Sequence, residues 1–196
     1  MYRRSHLRQG QVLGLGLAGL TIAMALGGCE AVPDARVGRG DIRNAIARGQ
    51  LTSPRAATVA LVSLDGAPDQ VAARFRQSLF GEAASREITV TDEASAHYLV
   101  RGYLSAYPGE TGGTTLSYVY DVFEAGRKQR EQRIEDTIDL PVAAADPWSV
   151  VSDSVVTTLA GRSADDLAVA LSGTPEAQAQ GGKVASVAPS GQPPLN

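Results

Sequence analysis

Few residues in this 196-residue chain are equipped for chemistry. There is one cysteine, Cys29, so neither an internal disulfide nor a multi-thiolate metal site can form. There are two histidines, His6 in an arginine-rich start and His97 further on. A nucleophilic site needs a hydroxyl or thiol beside a base, and a zinc site needs three or four Cys, His or acidic ligands. His97 would need folding to bring it a serine and an acid, and no G-x-S-x-G stretch marks such a serine. Gly14, Gly16 and Gly19 come near a dinucleotide-loop spacing but follow no strand. Among the carboxylates, Glu131, Glu135 and Asp139 recur every four residues, as do Asp65 and Asp69. On a strand, such neighbours stand ~13 Å apart, beyond the ~5–9.5 Å of glycosidase acid pairs. They read as a solvated charged edge. The expectation is a protein that is not an enzyme and holds no metal or diffusible cofactor.

The position of the thiol is informative. Arg3, Arg4 and Arg8 make a positive start with no acid among them. Val12 to Leu26 then runs fifteen residues without a charge. As a helix this reaches only ~22 Å, against a hydrocarbon layer of ~30 Å, so it fits a signal-peptide core better than a span. Cys29 stands at its exit, behind two glycines that leave an open backbone for a protease cleft.

The stretch Leu26-Gly27-Gly28-Cys29 resembles the lipobox of bacterial lipoproteins. The resemblance implies cleavage before Cys29 and recognition through Leu26, Gly27 and Gly28. It also implies covalent diacylglycerol on the sulfur and an N-acyl chain on the new amino terminus. Through Cys29 the partner is then the lipid bilayer. Glu30, where such proteins carry aspartate when kept in the inner membrane, points to the periplasmic leaflet of the outer membrane. Arg3-Arg4-Ser5-His6-Leu7-Arg8 also resembles a twin-arginine export signal, although an ordinary basic leader is the preferred reading. Losing 28 residues and three arginines moves the formal charge from -3 to -6. That balance gives no support to nucleic-acid binding.

The expected organisation is a signal peptide over 1–28, a lipidated spacer over 29–56, one domain over 57–173 and a disordered tail over 174–196. Asp41 to Arg48 reads as two helical turns within the spacer. Thr58 to Leu64 is β-branched and apolar on both faces, as in a central strand. Val71, Phe75 and Leu79 recur at helical spacing, and the helix is expected to end near Gly81. Glu87 to Thr91 reads as a short second strand. His97–Tyr107, Thr114–Phe123 and Lys128–Ile138 form an antiparallel meander, the last strand charged and suited to an edge. Asp146-Pro147 reads as a helix start, with Trp148, Val151, Val155 and Leu159 on one stripe. Gly161 is expected to interrupt it, and Ser163-Ala164-Asp165-Asp166 to cap a second short helix. The fold class is α/β (α+β): a mixed sheet of about five strands in the order β-α-β-β-β-β-α, with helices on one face.

The Tyr98–Ile138 pattern of strand, varied loop, aromatic strand, glycine turn and charged strand resembles envelope lipoproteins with an α/β domain. Penicillin-binding-protein activator and curli-secretion lipoproteins are of this kind. The region is also similar to alphaproteobacterial lipoproteins in which a tryptophan begins the last helix. Tyr98, Tyr103, Tyr107, Tyr118 and Tyr120 cluster on neighbouring strands. They serve either a protein interface or the space between sheet and helices, and the sequence leaves both open. The expected function is a protein-binding adaptor or accessory factor in envelope assembly, with an envelope protein as partner. The alternatives are a lipid- or glycan-binding module and, behind it, a hydrolase.

Overall fold

The computed structural model describes residues 41–127 and 129–185. The leader, Leu26, Gly27, Gly28, Cys29 and the spacer up to residue 40 lie outside the described residues. The described elements are α1 (Ile42–Ala47), β1 (Val59–Asp65), α2 (Asp69–Ala84), β2 (Tyr98–Pro108), β3 (Thr114–Glu124), β4 (Arg130–Leu140), α3 (Asp153–Ser172) and α4 (Pro175–Ala185).

The strands form one mixed sheet in the order β1-β2-β3-β4. β1 runs parallel to β2, with Val59 opposite Tyr98 and Leu64 opposite Gly102. β2 and β3 pair antiparallel along their full length, from Tyr98 opposite Glu124 to Pro108 opposite Thr114. β4 closes the meander, with Thr114 opposite Leu140. The α+β class, the mixed sheet and the helices packed on it agree with the expectation.

Alternation along the strands places Tyr98, Val100 and Leu104 of β2 and Leu116, Tyr118, Tyr120 and Val122 of β3 on one buried face. α2 brings Val71, Phe75, Leu79 and Ala83 to the same core, one residue per turn. α3 contributes Val156, Leu159, Ala160, Ala164, Leu167, Ala168 and Leu171. Two glycines fit the layers together. At Gly102 a Cβ would meet the Leu64 side chain at 2.8 Å and the Tyr120 ring at 3.1 Å. At Gly66, with φ +90°, a Cβ would lie 2.3 Å from the Leu104 carbonyl oxygen, and this residue turns β1 towards α2.

Several expectations are corrected. The sheet has four strands, not about five. Glu87–Thr91 makes only a single bridge, Val59 with Val90. The segment begins with Glu87 at φ 59°, which breaks an extended run at its first residue. α2 continues past Gly81 to Ala84 because Ala83 still has a place in the core. Trp148 lies in a 3-10 turn, Pro147–Val150, capped by Asp146, which accepts from the Trp148 amide at 3.0 Å. The last long helix begins after it, with Ser152 as its cap. Gly161 does not interrupt that helix, because α3 is continuous to Ser172. The Ser163–Asp166 segment is therefore mid-helix and caps nothing.

The expected boundaries also move. Ile42 of α1 is 2% exposed and belongs to the main core, ahead of residue 57. At the other end α4 occupies Pro175–Ala185 and buries Ala177 completely, where a disordered tail is expected from 174. Residues 186–196 lie outside the described residues.

Candidate interaction surface

The two faces of the sheet differ in kind. On the helix side, tyrosine hydroxyls meet polar groups of the helices. Tyr120 is fully buried and donates to Ser163 Oγ at 3.1 Å. Tyr118, also fully buried, donates to Asp166. Tyr98 donates to Glu176 of α4 at 2.7 Å. A buried hydroxyl needs such a partner, and each one found here also fixes a helix against the sheet. Of the five singled-out tyrosines, Tyr98, Tyr118 and Tyr120 therefore fill the space between sheet and helices and are not interface residues of the free surface.

A charged cluster lies deeper between α2 and α3. Arg86 follows α2, and only 4% of its side chain is exposed. It donates to Asp165 at 2.5 Å, to the Glu82 carboxylate at 2.5 Å and to the Glu82 carbonyl at 2.9 Å. Burial alone would depress its pKa, but the hydrogen bonds it donates to Asp165 and Glu82 reverse that and raise it. This cluster joins two helices. Asp165 is an ion-pair partner and not the expected cap, because Arg86 arrives beside it from a segment 79 residues away.

The opposite face of the sheet has no helix over it among the described residues. Tyr103 and Tyr107 stand there at 40% and 43% exposure. Tyr103 sits opposite Val119 and Tyr107 opposite Thr115. Next along β2, the Arg101 guanidinium lies over the Phe123 ring, 5.4 Å from its centroid. Asp121 accepts from Arg130 at 3.0 Å and lies 3.6 Å from Arg133. Ser105 and Ser117 bond at 2.7 Å, and Thr115 donates to Asp139 at 2.6 Å. The result is a face of half-exposed rings bordered by paired charges. Rings that present area with few rotatable bonds, inside a polar border, suit protein recognition. The five tyrosines thus separate by strand parity into three core residues and two surface ones.

A cleft of about 650 Å³ lies at one end of the sheet, where the β3–β4 turn meets the end of α3 and the start of α4. Tyr98, Glu124, Arg127, Glu131 and Glu176 line it. Its one cation, Arg127, is shared by two of its three carboxylates. Arg127 is 2.9 Å from Glu124 and 3.6 Å from Glu131. The Tyr98 hydroxyl holds Glu176 below the ordinary carboxylate range. Burial, aided by Glu176, pushes Tyr98 up to about 12. Thr174 is the one serine, threonine or cysteine among its lining residues, and its hydroxyl donates to the Leu171 carbonyl at 2.7 Å.

The other residues weighed for chemistry are not brought together either. His97 is exposed, and its Nδ1 is 3.2 Å from the Thr58 hydroxyl, with no serine on the ring. Glu131, Glu135 and Asp139 lie along β4 and pair with Arg127, Arg133 and Thr115. Among the described residues no group of three His, Cys, Asp or Glu is placed to hold a metal ion. None of the described helices is long and apolar enough to cross a membrane. The apolar cavity between β1, β2 and α2 is about 20 Å³, room for roughly one water and not for an acyl chain.

The tyrosine shifts predict an alkaline transition. Burial raises both Tyr98 and Tyr120 above the ordinary phenol value of ~10. The folded state therefore keeps protons that the unfolded state releases. The associated stability is fully present below about pH 10, and the Tyr98 share is lost as pH rises through about 12. Urea midpoints should be flat up to about pH 9.5 and then fall, and Tyr98→Phe should flatten part of the fall. An equal slope in that variant would show that Tyr98 does not contribute.

No protein-family model matches the chain, and no curated protein matches it. Three of the solved structures similar to it are the following. The PelC dodecamer from Paraburkholderia phytofirmans has 12% identity and a TM-score of 0.37, over 60% of this chain and 90% of that one. A candidate lipoprotein from Caulobacter crescentus has 12% identity and a TM-score of 0.38, over 70% and 97%. A minor lipoprotein from Acinetobacter baumannii has 12% identity and a TM-score of 0.34, over 58% and 93%. The chain thus bears a weak structural resemblance to two bacterial chains described as lipoproteins, one of them from an alphaproteobacterium.

Proposed function

We propose that this chain is a lipid-anchored bacterial envelope protein that performs no reaction and binds another envelope protein through the open face of its sheet. The observation that carries the binding role is the division of the tyrosines. Three are used in the core, while Tyr103 and Tyr107 are left half-exposed beside the Arg101–Phe123 pair. A core with this few aromatics gains by burying rings, so two rings on an uncovered face are better explained by a partner than by packing. The anchor rests on Leu26-Gly27-Gly28-Cys29, and the outer-membrane placement on Glu30. Acyl chains on Cys29 would hold the domain on the periplasmic side, with the spacer as its tether.

A photo-crosslinking residue at Tyr103 or Tyr107, in cells with an intact envelope, tests the reading. The expected result is one discrete adduct with an envelope protein from either position and none from Phe80, which is 39% exposed on α2. No adduct, or the same adducts from Phe80, would remove the open face as the binding surface.

A further inference from the structure

The sheet has two edges, and they are treated differently. Beside β1 the chain runs back, so that Val59 donates to Thr89 and Thr91 donates to Val59. β4, eleven residues long, has no strand on its outer side among the described residues. An unpaired edge offers a row of N–H and C=O groups to any strand that fits it. Charges on an edge normally repel a second copy, so their order along β4 decides what fits.

We infer that β4 is the seam of a two-fold homodimer, in which it pairs antiparallel with the β4 of a second copy centred on Ile134. A two-fold axis perpendicular to the sheet keeps both helical layers on one side. Opposed residues then share a face, as they do within the sheet. Centred on Ile134, the pairing sets Arg133 opposite Glu135 twice, once in each direction, and Gln132 opposite Asp136. Ile134 meets its own copy on the helix side. No like charges oppose each other from Gln132 to Asp136. Moving the centre by one residue removes this fit. Centred on Arg133, Arg133 faces Arg133. Centred on Glu135, Glu135 faces Glu135. Like charges directly opposed on paired strands are destabilising, so one register stands out between two that are disfavoured.

The side chains are available for the exchange. Within one chain Arg133 is 3.1 Å from Glu135, with 46% and 66% of the two side chains exposed. Such an exposed pair contributes little on its own, so its partners can be traded across the seam at small cost. At one end, Glu131 is the extra residue where the β3–β4 register shifts, which ends the regular edge there. The seam lies at the sheet edge and leaves Tyr103 and Tyr107 uncovered, so it does not depend on the open face being a binding surface.

Charge reversal and swap test the seam. The full chain, in detergent, would be sized by sedimentation velocity as wild type, Arg133→Glu, Glu135→Arg and the double variant, with circular dichroism to verify folding. The expected result is a wild-type dimer, at least a tenfold weaker dimer in each single variant, and recovery in the double variant, where opposite charges face each other again. A folded wild-type monomer at every concentration would overturn the inference. So would an oligomer that neither single reversal weakens, or reversals that weaken it without recovery in the double variant. If one single variant fails to fold, the other single variant, read against the wild type and the double variant, still decides between these outcomes.

Discussion

Asp165→Ala should cost about 3 kcal/mol of folding stability, a large share of the ~5–15 kcal/mol of a typical domain. The variant leaves Arg86 in place with 4% of its side chain exposed and removes the acceptor at 2.5 Å. Glu82 remains beside the guanidinium at 2.5 Å, which keeps the loss near the lower end of the range for a broken buried pair. For a chain of this size the melting temperature should fall by roughly 6–12 °C. Replacing both members, Arg86→Met with Asp165→Leu, should recover most of the loss, because an apolar pair needs no desolvation of charge. Thermal and urea unfolding of the three proteins measure this. A loss below about 1 kcal/mol in Asp165→Ala would mean that water reaches Arg86 and that the cluster is not a dry contact between α2 and α3.

The second large effect concerns location. If Cys29 carries the lipid, Cys29→Ala removes the only thiol in the chain and with it the acyl chains that the lipobox resemblance implies. Each buried methylene contributes ~0.8 kcal/mol to anchoring, and a single chain holds only reversibly, whereas several together make release negligible. The variant should lose the lipid mass completely and keep residues 1–28, since the cut depends on the modified cysteine. Intact-mass analysis of membrane and soluble fractions reads both changes. A wild-type protein with a free thiol and its leader still attached would remove the anchor and the outer-membrane placement together.

The parts of the fold that follow from local pattern were legible in the sequence. β2, β3 and β4 were placed to within two residues, because each alternates along its length and is bounded by glycine turns. The stripe Val71, Phe75 and Leu79 announced the buried face of α2. The errors lie where a distant element overrode a local signal. Gly161 is a plausible helix break, and Ser163 and Asp165 are plausible caps. Yet Leu159, Ala160, Ala164 and Leu167 are all buried in one core, and holding them there requires a continuous helix. Glu87–Thr91 has the composition of a strand, but only Val90 finds a partner. α4 has weak periodicity, and its place follows from Ala177 in the core and Glu176 on Tyr98.

The same distinction applies to the surface. From its own order of residues the chain specified an apolar run ending close to a lone cysteine and a meander with a charged final strand. These are matters of composition and spacing, which need no partner in space. Which face of the meander is dry was decided only when α2 and α3 closed over Tyr118 and Tyr120. Strand parity then left Tyr103 and Tyr107 facing out. A period of two sorts side chains into two sets, but the choice between them belongs to whatever packs on the sheet. For the same reason Asp165 is a buried ion-pair partner, because its role depends on where Arg86 arrives.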